Sequence, residues 1–262
     1  MTVLLALAVA AAVYGWGLMR VARAGRPFSR VAPLAFGAGL LAIGAALCGP
    51  VDALADASLS WHMGQHLILI SLAAPLLIFG APVRLALAAL PPRGAARLAH
   101  VLGSAPMHTI DHPLFGLALL TLVLFGTHFS PLYERALENE TVHAAEHALF
   151  LTAALLFWMP IFAVAPAPHA RSHPLRILAL FLSLPAGAFL GFAFYVTNRV
   201  LYPHYAARPD ALADQMNAGA VMWLSAGTPV LLALLWCVAD WGARERRLGA
   251  VFDAAQEQEA LP

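Results

Sequence analysis

Hydrophobic residues occur in seven long runs, separated by short segments that contain most of the polar residues. A transmembrane helix needs about 20 predominantly apolar residues to cross the bilayer. The runs are unbroken rather than alternating with a period of two, which favours helices over the strands of a membrane barrel. The sequence therefore predicts an all-α fold, a polytopic membrane bundle of seven transmembrane helices. The predicted spans are Thr2–Met19, Val31–Gly49, His62–Gly80, His112–Phe129, Val142–Val164, Pro174–Thr197 and Gln215–Asp240.

The segments between the runs are too short to hold a soluble domain. We predict one membrane domain over residues 1–241 and a short polar, cytoplasmic tail over residues 242–262. No basic residue precedes the first run, and Arg20 follows it. We therefore interpret this run as a first span that stays in the protein, rather than as a cleaved signal peptide.

Composition narrows the class of protein further. Of the 262 residues, 61% are apolar and only 11% are charged, whereas about 25% are charged in a typical soluble domain. A net charge of +1 leaves no strongly basic face for nucleic acid. We therefore expect the lipid bilayer as the main environment and no nucleic-acid partner.

The arginines predict the orientation of the bundle. All 15 basic residues are arginines, and 12 of them follow the first, third and seventh runs or flank the turn between the fifth and sixth. Basic residues near membrane spans stay in the cytoplasm. The N-terminus is thus predicted outside and the C-terminus inside. The 12 are Arg20, Arg23, Arg26, Arg30, Arg84, Arg93, Arg97, Arg171, Arg176, Arg244, Arg246 and Arg247.

Five of the eleven histidines are predicted at one depth, in the outer leaflet. His62 and His66 open the third span, His143 and His147 open the fifth, and His128 closes the fourth. Residues four apart on a helix share a face, so each pair can present two imidazoles to one metal ion. Ionisable residues inside a membrane bundle are functional candidates. The five histidines therefore form the predicted metal site.

The other six histidines fall elsewhere. His204 lies in the outer loop between the last two runs, as an accessory ligand or a solvated loop residue. Five are predicted on the cytoplasmic side, in loops, since two of them precede prolines, which disfavour helical geometry. These five are His100, His108, His112, His169 and His173.

The ligand type alone does not identify the metal, because imidazole binds zinc, copper, iron and nickel. Sulfur atoms of Met63, Met216, Met222 and Cys48 are predicted near the histidines and favour Cu(I). We therefore predict copper, with zinc as the alternative metal. Glu146 and Asp214 can orient imidazoles through hydrogen bonds. Asp214 has a second interpretation, in which its carboxylate only caps a helix.

Several motifs in order resemble a known family. They are WHMGQH followed by APLLIFGAP, then THFSPLY, HAAEH and LYPHYA, with ADQMNAGAVMW near the last span. Together they resemble the all-membrane CtaG family of cytochrome c oxidase assembly factors, over about residues 61–223. The five outer histidines match the histidine positions of that family, and Asp214 with Gln215 matches its acidic-amide pair.

The resemblance implies a function. It implies a multi-pass protein of the bacterial inner membrane that matures a haem-copper oxidase, at the step that furnishes copper to the copper B centre. An oxidase subunit or a copper chaperone on the outer side is the implied partner. The protein would then be no enzyme but an assembly or metal-trafficking factor.

Two other function classes remain open from the residues. A membrane-embedded zinc hydrolase would use three histidines as ligands and Glu146 as the base. A b-type cytochrome is disfavoured, because a multi-haem carrier needs histidine pairs in both leaflets.

Overall fold

The computed structural model describes residues 2–164 and 172–259, and within them all regular structure is helical. His169 and Arg171 lie outside the described residues. In chain order the helices are α1 (Thr2–Arg23), α2 (Val31–Leu47), α3 (Pro50–Ala57), α4 (Leu59–Leu67), α5 (Ala74–Phe79), α6 (Pro82–Ala89), α7 (Pro92–Leu102), α8 (Ala105–Ile110), α9 (Pro113–His128), α10 (Pro131–Glu138), α11 (Glu140–Phe162), α12 (His173–Val196) and α13 (Ala211–Glu259). A π-helical segment, Ile68–Ala73, joins α4 to α5, and a 3₁₀ turn, Pro203–Tyr205, precedes α13.

The predicted helical membrane protein is confirmed, with a difference in the fourth span. Within the described ranges, six helical stretches are long and apolar enough to cross a membrane. The fourth predicted run forms α9, which is followed by α10 after a bend of 70°. Pro131 starts α10 and disfavours helical geometry at the preceding Ser130. The number of spans is seven if α9 and α10 together form one. The six stretches are Thr2–Arg23, Val31–Ala57, Leu59–Ala89, Glu140–Phe162, His173–Val196 and Ala211–Ala250.

The last helix is longer than predicted, and the third span contains a π-helical segment. The last helix was expected to end at Asp240 but continues to Glu259, so the region predicted as a tail is helical over its described part. Residues 242–259 are mainly alanine, arginine, glutamate and glutamine, which favour helix, and they include no proline. In the third span, the π segment lies just before Pro75, which has no N–H to donate to the helical ladder.

Three of the histidines predicted in loops lie in helices. His100 is in α7, His108 is in α8, and His173 is the buried first residue of α12. The prolines after His112 and His173 act at helix starts, where a missing N–H costs no hydrogen bond. His112 caps α9, because its Nδ1 accepts a hydrogen bond from the backbone N–H of Leu114.

Close backbone contact joins α12 and α13. A Cβ atom at Gly191 would lie 2.6 Å from the carbonyl oxygen of Gly219, and no side chain fits between the two helices there. Small residues allow such close approach between membrane helices. This contact fixes α13 beside α12 and so places the start of α13 near α4.

The bundle has two chemically distinct ends. We call the end where α4 and α11 begin and α9 terminates the histidine end. The opposite end, where Arg84 and Arg176 lie, is the arginine end. An apolar and aromatic core fills the space between, with Phe150, Phe157 and Trp158 among its fully buried side chains.

Candidate metal centre

The start of α4 is held in place by a residue from the last span. The Asp214 carboxylate accepts hydrogen bonds from the Ser58 hydroxyl, 2.8 Å away, and from the Leu59 backbone N–H, 2.7 Å away. A negative charge is favourable at a helix N-terminus. Asp214 therefore caps α4, across the bundle, and positions the turn that contains His62.

The start of α11 is capped locally. The Asn139 side chain accepts hydrogen bonds from the backbone N–H groups of Thr141 and Val142, at 2.9 and 3.1 Å. One helical turn further on, His143 and His147 face the histidines of α4. A residue of the N-cap type four positions before His143 thus sets where this helix begins.

The structure brings four of the five predicted histidines into one group. One ring nitrogen from each of His62, His66, His143 and His147 lies within 4.8 Å of the others. His62, His66 and His147 are buried, at 1%, 3% and 7% exposure, whereas His143 is half-buried. Four imidazoles at this spacing suit a tetrahedral metal ion.

The ring nitrogens fit a bound cation because the protein does not satisfy them. The Nε2 atoms of His143 and His147 and the Nδ1 of His66 are buried without a hydrogen-bond partner. The two Nε2 atoms of His62 and His66 face each other at 3.1 Å, so at most one of them accepts from the other. Buried polar atoms are normally paired, and unpaired ones call for an explanation.

A tyrosine orients His62. Burial raises the pKa of Tyr205 above its usual range, and the nearby Asp56 and Asp214 charges add to this, so the hydroxyl keeps its proton. That proton goes to the carbonyl oxygen of Ala55, 3.0 Å away. The hydroxyl oxygen can then accept from His62 Nδ1, at 3.4 Å, which leaves the Nε2 lone pair directed at the other histidines.

The fifth predicted ligand, His128, lies beside the group of four. Its Nδ1 is 2.8 Å from the Leu124 carbonyl oxygen, which requires the proton on Nδ1. Its Nε2 is buried without a partner, and its ring centroid lies 5.8 Å from that of His66. His128 thus has a free lone pair next to the centre but is not part of the group within 4.8 Å.

The predicted accessory residues separate into different environments. Glu146 is 2% exposed and both carboxylate oxygens lack a partner. Met63 is fully buried in an apolar cluster with Tyr133. The remaining three are less enclosed: Met216 is half-buried, and Cys48 and His204 are exposed.

Sequence reasoning missed the polar residues that surround the histidines. Besides Tyr205, Tyr202 donates from its hydroxyl to the His128 carbonyl oxygen, 3.0 Å away. Gln65 donates from Nε2 to the Asp52 carboxylate and to the Ala46 carbonyl, both at 2.9 Å. Gln65 adjoins the predicted ligand His66, and both tyrosines lie within two residues of His204, so proximity to histidine motifs was the available signal.

The chain is similar to proteins of mycobacteria. An uncharacterized protein of Mycobacterium bovis is 27% identical over 213 residues, which are 76% of this chain and 32% of that protein. One from Mycobacterium leprae is 25% identical over 248 residues, 90% of this chain and 38% of that protein. The chain therefore spans about a third of the length of these relatives. No solved structure matches it.

The family comparison covers most of the chain. Residues 12–244 match the family described as cytochrome c oxidase caa3 assembly factor. The matched range contains all four histidines of the group, His128, and Asp214. The chain belongs to the cytochrome c oxidase caa3 assembly factor family.

Proposed function

We propose that this protein binds a copper ion at the group of four histidines and supplies or positions it for the copper B centre of a haem-copper oxidase. The observation that carries the proposal is the convergence of four imidazole nitrogens within 4.8 Å, several of them buried without a protein partner. The ion is cargo in this proposal, and the protein is an assembly factor rather than an enzyme.

Copper is favoured by ligand chemistry and by the family. For sites with nitrogen ligands, Cu²⁺ binds more tightly than the other divalent first-row metals. Met63 packs in the apolar cluster, so the imidazoles rather than its thioether are the proposed ligands. His128 is the proposed fifth imidazole, which can replace one of the four ligands when the ion is transferred.

Zinc is the alternative metal, and one observation supports this alternative. Glu146 is a buried carboxylate with two unpartnered oxygens, three residues from His143. A carboxylate in that position is the only candidate base among the proposed residues for a zinc-dependent hydrolase. Zinc in the purified protein, with hydrolytic activity that depends on Glu146, would replace the copper proposal.

We further propose that the bundle has seven spans and lies in the bacterial inner membrane with the histidine end outside. The uneven distribution of arginines supports this orientation, since 12 of the 15 belong to one predicted side. The metal would then come from the outer side, and an oxidase subunit or a copper chaperone there is the proposed partner.

Metal analysis of the purified protein tests the proposal. The wild type should hold copper in stoichiometric amounts, and His66→Ala with His147→Ala should lose it. His100→Ala, on the exposed face of α7, is the matched control and should keep it. Because the ion is cargo, a chelator should remove it reversibly, with little loss of helical circular dichroism. Full copper in the double variant contradicts the proposal, and unfolding of the metal-free protein would make the metal structural.

A deletion strain tests the step in assembly. The oxidase should accumulate with haem but with too little copper in its copper B centre, and added copper should restore part of it. Unchanged copper content in the oxidase would contradict the assembly role.

A further inference from the structure

A large cavity opens beside the four histidines. It has a volume of about 1060 Å³ and lies between α1, α2, α5 and α6 on one side and α11 on the other. His143 and His147 both line it, while the other two histidines of the group do not. The cavity therefore approaches the metal centre from the α11 side.

The α11 wall changes from acidic to basic to apolar along one stripe. Glu140, His143 and His147 are spaced by three and four residues, so they share a face, and all three line the cavity. Exposure falls in the same order, from the exposed Glu140 to His147 at 7%. Further along the stripe the cavity is lined by Leu151 and Leu155.

The lining from α3 adds two carboxylates. Asp52 and Asp56 are four residues apart on α3, share a face, and both line the cavity. Gln65 holds Asp52 through the hydrogen bond to its Oδ1. Both carboxylates therefore share the cavity with His143.

We propose that Asp52, Asp56 and Glu140 form a vestibule that captures metal cations from the aqueous phase and passes them to His143 and then to His147. A concave site with one sign of charge raises the local concentration of counter-ions and their association rate. The buried Nε2 of His147, which has no protein partner, marks where the path ends. The inference rests on the proposed metal centre and assigns its access route.

The apolar part of the cavity restricts the route to one side of the membrane. Between His147 and Met159, the α11 wall offers only Ala148 and three leucines, which give a hydrated cation no ligands. The cation therefore stops at the histidines rather than crossing the bilayer. The negative mouth also discriminates against anionic metal chelates, so the cargo arrives as an aquated cation or from a positively charged donor.

Stopped-flow binding of aqueous Cu²⁺ to the detergent-purified full chain tests the vestibule. In the triple variant Asp52→Asn, Asp56→Asn and Glu140→Gln, the association rate at low ionic strength should fall about tenfold or more, as expected for lost electrostatic steering. The copper content at equilibrium should stay at the wild-type level. Raising the salt concentration should slow the wild type and affect the variant little.

Glu138→Gln is the matched control, because Glu138 is exposed near the same end but does not line the cavity. It should bind copper at the wild-type rate. If the triple variant does not fold, Asp56→Asn with Glu140→Gln removes only exposed carboxylates and should still slow binding severalfold. Copper association at the wild-type rate in the triple and double variants would contradict the vestibule but not the metal centre. Absence of copper from the wild type would overturn the metal centre and, with it, the vestibule.

Discussion

The two ends of the bundle bury histidines in opposite ways. At the arginine end, His173 Nε2 lies 2.8 Å from the Asp240 carboxylate, and Arg176 donates from Nε to the Ile161 carbonyl, 2.6 Å away. At the histidine end, His66 and His147 face other imidazoles and keep ring nitrogens with no partner. Burial is similar, since His173 is 6% exposed and His147 is 7% exposed.

This difference separates a structural histidine from a candidate ligand. Buried polar groups in proteins are normally hydrogen-bonded, and the carboxylate of Asp240 meets this requirement for His173. A structural role therefore accounts for the burial of His173. A structural role does not account for four imidazoles that face one another without hydrogen bonds to a carboxylate. Spacing alone misses this distinction, because His108 and His112 are also four residues apart but belong to α8 and to the cap of α9.

The largest effect is expected at the arginine end, where a substitution at His173 should lower the stability of the protein. This effect tests the difference between the two ends. Replacing His173 with Phe removes the hydrogen bond to Asp240, which keeps only its 3.7 Å ion pair with Arg176, and should lower the free energy of unfolding by about 1–3 kcal/mol. The copper content should not change. Thermal unfolding in detergent, followed by circular dichroism, measures the first and metal analysis the second. His100→Phe, on an exposed surface, is the control. A His173 variant that loses copper would break the comparison.

A smaller effect is expected from Tyr205, which links the histidine end to the loop before α13. Tyr205→Phe removes the hydroxyl that lies between His62 and the Ala55 carbonyl. Loss of a group that orients a ligand histidine typically costs 10–100-fold in metal affinity, and we expect about 10-fold because the contact with His62 is long. Competition with a chelator measures the affinity. Tyr195→Phe, 44% exposed on α12, should bind like the wild type; equal affinities for both variants would remove Tyr205 from the site.

The smallest effect is expected from the buried methionine of α4. Met63→Leu keeps the volume of a side chain that packs in the apolar cluster, and such exchanges usually cost less than about 1.5 kcal/mol. Copper affinity should change by less than about twofold, the same as for Met222→Leu in that cluster. A clear loss of copper in Met63→Leu alone would make its thioether a ligand.

The candidate site was predictable to the level of helix faces. The two pairs spaced by four residues share their faces on α4 and α11 by helical geometry alone, and the structure brings these four together. His128 was predicted at the same depth, but depth does not give distance, and its ring lies outside the group of four. From the sequence alone, Asp214 has two interpretations, as a residue that orients an imidazole or as a helix cap. The structure decides between them, because the Asp214 carboxylate accepts a hydrogen bond at the start of α4 from the N–H of Leu59, 155 residues away.

What the sequence by itself determined is the class of protein. Long apolar runs, few charges and unevenly placed arginines are properties of composition and order, and they already require helices in a bilayer. Only the tertiary structure decided which buried histidines have partners, since His173 meets Asp240 from 67 residues away and His62 meets Tyr205 from 143. It also decided that three carboxylates from α3 and α11 share one cavity with two of the histidines. Such contacts depend on how helices cross, and local sequence patterns do not encode those crossings.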